Sequence, residues 1–366
     1  MRVLHLIPEL SVGGAERVVA TLAEALGARG VAVAVAAGRP RRGAEVRVPD
    51  YEMAHVARRP RQLLAAVRDA RRAVADFRPD VVHAHNPTMA VVAAAARRGR
   101  PALVTVHGVG DGDLRRAAVL LRVLRIPVVA CGPGVAASLR QHGVRVHDTV
   151  VNGVAAAPPA ADRDALMREL GLDPRWRLVV CAGRLQPVKN PQMLVRAMAA
   201  VPGAALLLVG GGPLHGELQA LAARLGVADR VVLCGERADA RAVIGAADAV
   251  ALGSHSEGLP LAALEALSAG RPLVATSVRG IRELVENGRN SLLVAPDDDR
   301  AMAAALCRVL SDPALAQRLG AAGAELAARH TVDRMVSDYL RLYAELRRAV
   351  PADGAGGAPP PAAAPR

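Results

Sequence analysis

The chain has 366 residues, a length that suits two domains with a core each, and with 52% hydrophobic but 1% aromatic residues those cores rest on Ala, Val and Leu. No apolar run reaches the roughly 18 residues of a membrane span, and Pro8 and Glu9 break the start where a signal peptide is apolar, so a soluble, cytoplasmic chain is expected. The net charge of +13 is concentrated, because residues 1–152 hold 23 arginines against 12 acidic residues while the remainder holds 24 basic against 22 acidic. With so few stacking aromatics and no nucleic-acid motif, that charge argues against nucleic acid as a partner.

Short aliphatic runs alternate along the chain with longer Ala- and Leu-rich segments of helical period. RVLHLI (2–7), VAVAV (31–35), VVHAH (81–85), ALVTVH (102–107) and PVVAC (127–131) read as buried parallel strands separated by helices. Segment 58–79 sets Leu63, Leu64, Val67, Val74 and Phe77 at roughly helical spacing among arginines. An amphipathic surface helix there is either a solvated face or one attracted to anionic lipid or an acidic acceptor. After a Pro/Ala-rich stretch at 155–162 the pattern restarts with RLVVCAG (177–183), AALLLVG (204–210), VVLCG (231–235), AVAL (249–252), PLVAT (272–276) and SLLV (291–294). The chain therefore reads as two consecutive doubly wound α/β domains, 1–156 and 157–330, with a linker near 155–165. A helical segment at 331–350 is expected to pack back on the first domain, and the Pro-, Gly- and Ala-rich tail 351–366 to be disordered.

Ligands of open α/β sheets bind beyond the carboxyl ends of the strands, which directs attention to the loops there. SVGGAER (11–17) follows the first strand and opens a helix; Gly13 and Gly14 either bring backbone N–H groups close to an anion or simply make a tight turn. AGRLQPVKNP (182–191) places Arg184 and Lys189 in another strand-end loop, where a planar fork and a compact ammonium can converge on one anion. Lys189 is the sole lysine among 47 basic residues, which favours a specific role over a solvated charge. SHSEGLPLAALEALSAGRPLVAT (254–276) carries Glu257 at the mouth of a helix marked by Gly258 and Pro260, with Glu265 inside it. Each carboxylate offers two acceptor oxygens that match the vicinal hydroxyls of a sugar or ribose. His83 and His85 share a strand face, but no third ligand of suitable spacing accompanies them, so no metal is expected. The scattered Cys131, Cys181, Cys234 and Cys307 suggest neither a zinc site nor a disulfide framework.

Taken in order, Gly13-Gly14-x-Glu16, VVHAHNP (81–87), TVHG (105–108), VNGV (151–154), GRLQPVKN (183–190), LVGGGP (208–213), Glu257-x7-Glu265 and IRELVENGRNSLLVAPDD (281–298) resemble glycosyltransferase family 4. Members of that family are retaining nucleotide-sugar glycosyltransferases of the GT-B fold, two Rossmann-like doubly wound domains facing a central cleft. The resemblance covers residues 1 to about 350. It implies that Arg184 and Lys189 bind the donor diphosphate while Gly13 and Gly14 approach it from the other domain. It further implies that Glu257, with Gly258 and Leu259, holds the donor sugar and that Glu265 holds the ribose. His107 matches the family histidine that contacts the sugar near the reacting carbon, and His85 and Asn86 fall on the acceptor side.

The implied reaction moves a sugar to an acceptor hydroxyl with retention, without a metal or other cofactor. Cell-envelope glycan, glycolipid or exopolysaccharide synthesis at the inner face of the plasma membrane is the implied setting. Two departures stand out: Arg279-Gly280 replaces a Gly-Gly pair, adding a cation that either serves a phosphate or acceptor or faces water, and Asn190 replaces a glycine after the lysine. Two other readings of the same fold are a sugar-nucleotide 2-epimerase, whose acid–base set is not recognisable here, and a non-catalytic glycan- or lipid-binding relative.

Overall fold

The computed structural model describes residues 1–11, 13–39, 48–54, 60–108 and 111–349; the tail 351–366 lies outside them. The first half runs β1 (Arg2–Glu9), α1 (Gly14–Gly27), β2 (Ala32–Gly38), β3 (Tyr51–Glu52), α2 (Pro60–Phe77), β4 (Val81–His85), α3 (Pro87–Ala96), β5 (Ala102–Val106), α4 (Asp111–Leu124), β6 (Val128–Ala130), α5 (Pro133–Gln141) and β7 (Val146–Thr149). The second runs α6 (Arg163–Glu169), β8 (Arg177–Ala182), a 3-10 turn (Pro187–Lys189), α7 (Pro191–Met198), β9 (Ala204–Val209), α8 (His215–Arg224), β10 (Val231–Gly235), α9 (Ala240–Ala246), β11 (Ala249–Leu252) and α10 (Leu261–Ser268). It continues with β12 (Leu273–Thr276), α11 (Arg279–Arg282), β13 (Leu292–Val294), α12 (Asp299–Ser311), α13 (Pro313–Ala327) and α14 (Val332–Arg348). Side-chain oxygens start several helices: Asp162, Asp298, Asp312 and Thr331 accept backbone N–H bonds at the N-termini of α6, α12, α13 and α14.

Two sheets form, in the orders β3-β2-β1-β4-β5-β6-β7 and β10-β9-β8-β11-β12-β13. Every strand pair is parallel, as the doubly wound reading requires. The winding reverses between β1 and β4 in the first sheet and between β8 and β11 in the second. The edge strands β3 and β7 lack a sequence signal for a simple reason: one has two residues, and the other, VHDT, is polar at three of its four positions and only partly buried.

In α2 the buried stripe is Ala66, Ala70, Ala73 and Val74, whereas Leu64 is 70% exposed. Alanines let the helix lie close to the sheet, and Leu63, Val67 and Phe77 are only partly buried at its flank. The chain crosses between the halves at two adjacent places, with Val154 N donating to His330 O and Val154 bridging Thr331. A Cβ on Gly153 would collide with Thr331 O, so the crossings touch backbone to backbone. After the second crossing α14 returns to the first sheet, where Met335, Val336, Tyr339, Leu342 and Tyr343 join Val3, Leu22, Val81 and Leu103 in one core. Tyr51 packs against the core on the opposite face of that sheet, while Trp176 packs on the core of the second.

Candidate active site

Both reversals place strand ends side by side, which is where a doubly wound sheet binds ligands. The turn from β1 into α1 carries Gly13 and Gly14, and the connections after β8 and β11 carry Arg184, Lys189 and Glu257. Between the facing ends lies a cavity of about 310 Å3 whose wall includes Gly13, Gly14, His107, Arg184, Lys189, Glu257, Gly258, Leu259 and Glu265. The sequence motifs thus converge on one place although they come from separate sheets.

Cations and carboxylates are matched around this cavity. Lys189 Nζ donates to Glu257 Oε1 at 2.7 Å and Oε2 at 2.8 Å, and Ser254 Oγ donates to Oε1 at 2.6 Å. Two further pairs span the cleft: Arg184 Nη2 donates to Glu16 Oε1 at 3.2 Å, and Arg17 Nη1 to Glu265 Oε1 at 2.9 Å. Burial pushes the carboxyls of Glu16 and Glu265 above the usual range, an effect offset in part by Arg184 for the first and by Arg17 and Arg241 for the second. Asn190 sits at φ 43° and ψ 53°, the left-handed region that explains an Asn where the family uses glycine. Its Nδ2 also donates to Asp297 Oδ1 at 2.9 Å, tying the lysine turn to the loop after β13.

The loops meet closely. A Cβ on Gly258 would collide with the carbonyl of His107, and one on Gly280 with the carbonyls of Glu257 and Gly258. Gly14 differs, since a Cβ there meets nothing within 4 Å and points into open space. Arg279, whose role the sequence leaves open, is exposed, and its Nη1 donates to Ser138 Oγ on α5. It therefore links the two halves away from the wall that holds Arg184.

Two expectations change at the histidines. His85, expected on the acceptor side, is buried with both ring nitrogens engaged. Asn86, expected there too, is partly exposed at the start of α3, where its Oδ1 accepts from Met89 N at 2.8 Å. The absence of a third ligand beside His83 and His85 is also overturned. His5 on β1 pairs in register with His83, and ligand atoms of His5, His83 and His85 lie within 4.8 Å of one another. Two of these rings are bonded to each other, His5 Nδ1 to His85 Nε2 at 2.9 Å, and His85 Nδ1 continues to His107 Nε2 at 3.0 Å. His83 bonds instead to Tyr343 Oη at 2.8 Å and Thr105 Oγ1 at 2.7 Å, and Thr105 reaches Tyr339 Oη. Burial lowers the His107 pKa to about 4 and those of His83 and His85 well below the ordinary histidine value, so the rings are neutral near pH 7.

Sequence reasoning missed His5 and Arg17. Arg17 stands within a quoted motif, but nothing local announces a partner 248 positions away. His5 alternates in phase with His83 and His85, a signal that becomes readable only when β1 and β4 are known to be neighbours.

Comparison with known proteins bears on the family and the fold. The model described as Glycosyltransferase Family 4 matches residues 12–156, and that described as Glycosyl transferases group 1 matches residues 177–312. A D-inositol 3-phosphate glycosyltransferase of Mycolicibacterium gilvum is 37% identical over 198 residues, 51% of this chain and 44% of that protein. The chain spans about half the length of the curated relatives it matches. Sucrose-phosphate synthase from Thermosynechococcus elongatus superposes with a TM-score of 0.83 at 24% identity, over 95% of this chain and 100% of the other. Anabaena HepE, solved in complex with UDP-glucose, gives 0.81 at 24% identity over 94% and 100%. The shared architecture is the GT-B fold. The two family models match residues 12–156 and 177–312, one in each half, and on them the chain belongs to glycosyltransferase family 4.

Proposed function

We infer that this chain is a retaining glycosyltransferase that moves a sugar from a nucleotide diphosphate sugar, with UDP-sugars the first to test, to an acceptor hydroxyl. The carrying observation is that one cavity gathers Arg184, Lys189, Glu257 and Glu265 from the second sheet and an open glycine turn from the first. In this reading Arg184 and Lys189 hold the diphosphate. Lys189 spends two N–H groups on Glu257, which leaves a third for a phosphate oxygen. Glu257 accepts from sugar hydroxyls, Glu265 from the ribose, and His107 contacts the sugar near its reacting carbon.

When the glycosidic C–O bond breaks, its electron pair goes to the diphosphate, where the two cations hold the added charge. The acceptor oxygen bonds the anomeric carbon on the same face, and its proton passes to the departing phosphate oxygen. The side chains themselves supply the positive charge, so this reading assigns no role to a metal. That a solved relative in fold carries UDP-glucose supports starting with UDP donors.

A peripheral site at the inner face of the plasma membrane, with a lipid-linked or glycan acceptor, fits the outer face of the first half. There Leu64, Val119 and Val123 are 70%, 59% and 73% exposed. Arg68, Arg71, Arg72 and Arg98 line a groove with Leu63 and Val67 nearby. Among the described residues no helix is long and apolar enough to cross a membrane. Flotation with anionic vesicles tests this part, and equal recovery with neutral vesicles refutes it.

For the activity, a thermal-shift screen against UDP-, GDP- and ADP-sugars, followed by nucleotide release with and without acceptors, is decisive. One donor should raise the melting temperature and be consumed by the wild type but not by Glu257→Gln. A chain that neither binds nor cleaves any of them refutes the reading.

A further inference from the structure

His107 does not stand alone behind the cavity. Its Nε2 meets His85 Nδ1 at 3.0 Å, and His85 Nε2 meets His5 Nδ1 at 2.9 Å, forming a file of three rings that runs from the cleft into the sheet. His107 Nδ1 is buried and has no hydrogen-bond partner among the described residues, so it is the ring nitrogen left for a ligand. A neutral imidazole carries one N–H and one bare nitrogen. His85 uses both nitrogens on neighbouring rings, so it must donate to one and accept from the other. Both bonds in the file therefore point the same way. Either all three rings are protonated on Nδ1 and His107 presents a donor to the cleft, or all three are protonated on Nε2 and it presents an acceptor.

We propose that His85 and His5 are positioning residues that lock His107 into one tautomer, so that the hydrogen-bonding sense of His107 toward the donor sugar is decided two rings away in the sheet. This rests on the reading of His107 as a sugar contact, but the lock itself is a property of the folded chain. Burial supports it by keeping the rings uncharged, because a second proton on His85 would let it donate both ways and break the coupling. His83 packs against His85 with the rings tilted by 35° and 4.0 Å between centroids, which holds the middle ring in place from the other network. A metal at His5, His83 and His85 would need these nitrogens and would dissolve the file.

The test uses the full chain labelled with 15N-histidine. The wild type should show one tautomer each for His5, His85 and His107, protonated on the same-named nitrogen, with scalar coupling across both N–H···N bonds. Two tautomers at His107, differently named sites along the file, or loss of the couplings on adding equimolar zinc overturns the proposal. This arm requires no turnover, so it is decided independently of whether the chain transfers sugar. His5→Asn keeps a partner for His85 but offers it either an N–H or an oxygen, which removes the directional bias. In that variant His107 should populate both tautomers, with kcat reduced about tenfold or more and the donor KM within about twofold. A folded His5→Asn with one His107 tautomer and unaltered kcat overturns it.

Discussion

Replacing Lys189 separates charge from shape. Its ammonium lies 2.7 and 2.8 Å from the two oxygens of Glu257, a side chain only 7% exposed, while Lys189 itself is 36% exposed. At an effective dielectric of about 20 the gross attraction at that distance is about 6 kcal/mol, most of which desolvation cancels. Lys189→Ala leaves Glu257 with Ser254 as its remaining side-chain donor among the described residues, and a net loss of about 2–3 kcal/mol is expected, below the fully buried range because the lysine is partly wet. In the Glu257→Gln background the same truncation should cost less than about 1 kcal/mol, giving a coupling energy near 2 kcal/mol. Urea unfolding of the four proteins at constant m measures this cycle. Lys189→Arg keeps the charge but puts a longer planar fork where one nitrogen now serves both oxygens of Glu257 and, in the proposed function, a phosphate. Stability should change by about 1 kcal/mol or less, while sugar transfer falls at least about tenfold. Additive truncations, or near-normal turnover in Lys189→Arg, refute the account of this position.

Other perturbations follow from the same geometry. Gly14→Ala meets open space, so the melting temperature should hold while UDP-sugar affinity falls about tenfold or more in a titration; unchanged affinity would remove Gly14 from the site. The His107 pKa is lowered to about 4, so its contribution to stability is complete above the unfolded value of 6.5 and is lost as the pH falls toward 4. Between pH 7 and pH 5 this ring alone should cost about 2 kcal/mol in urea unfolding, His83 and His85 adding to the loss while the raised Glu16 and Glu265 oppose it. Equal stability at the two pH values refutes that assignment. Tyr343→Phe deprives His83 Nδ1 of its partner and should destabilise the chain by about 1–2 kcal/mol, whereas a change under about 0.3 kcal/mol would mean the bond contributes nothing.

The central strands, the two windings and the convergence of Arg184, Lys189, Glu257 and Glu265 were legible in the sequence, because each motif sits at the end of an aliphatic run long enough to be unambiguous. Pairings between distant elements were not. Alternation places His83 and His85 on one face of β4, but only the register of β1 supplies His5 and only the neighbouring β5 supplies His107. The same limit hid Arg17 from Glu265 and Arg184 from Glu16, since complementarity across a cleft leaves no periodic trace in either segment. His85 was misplaced for a related reason: a polar residue at a strand end looks like a cleft residue until the ring above it is known. In α2 the bulky side chains drew the eye, while the small alanines determined which face lies down.

The scarcity of aromatic residues gives this protein an unusual optical layout. Its single tryptophan, Trp176, packs on the core of the second sheet, whereas Tyr51, Tyr339 and Tyr343 all pack against the first. Indole emission excited at the red edge therefore reports on one half, and phenol emission chiefly on the other. A single unlabelled sample carries separate spectroscopic channels for the two halves, so melting them together or one after the other can be distinguished without adding a dye.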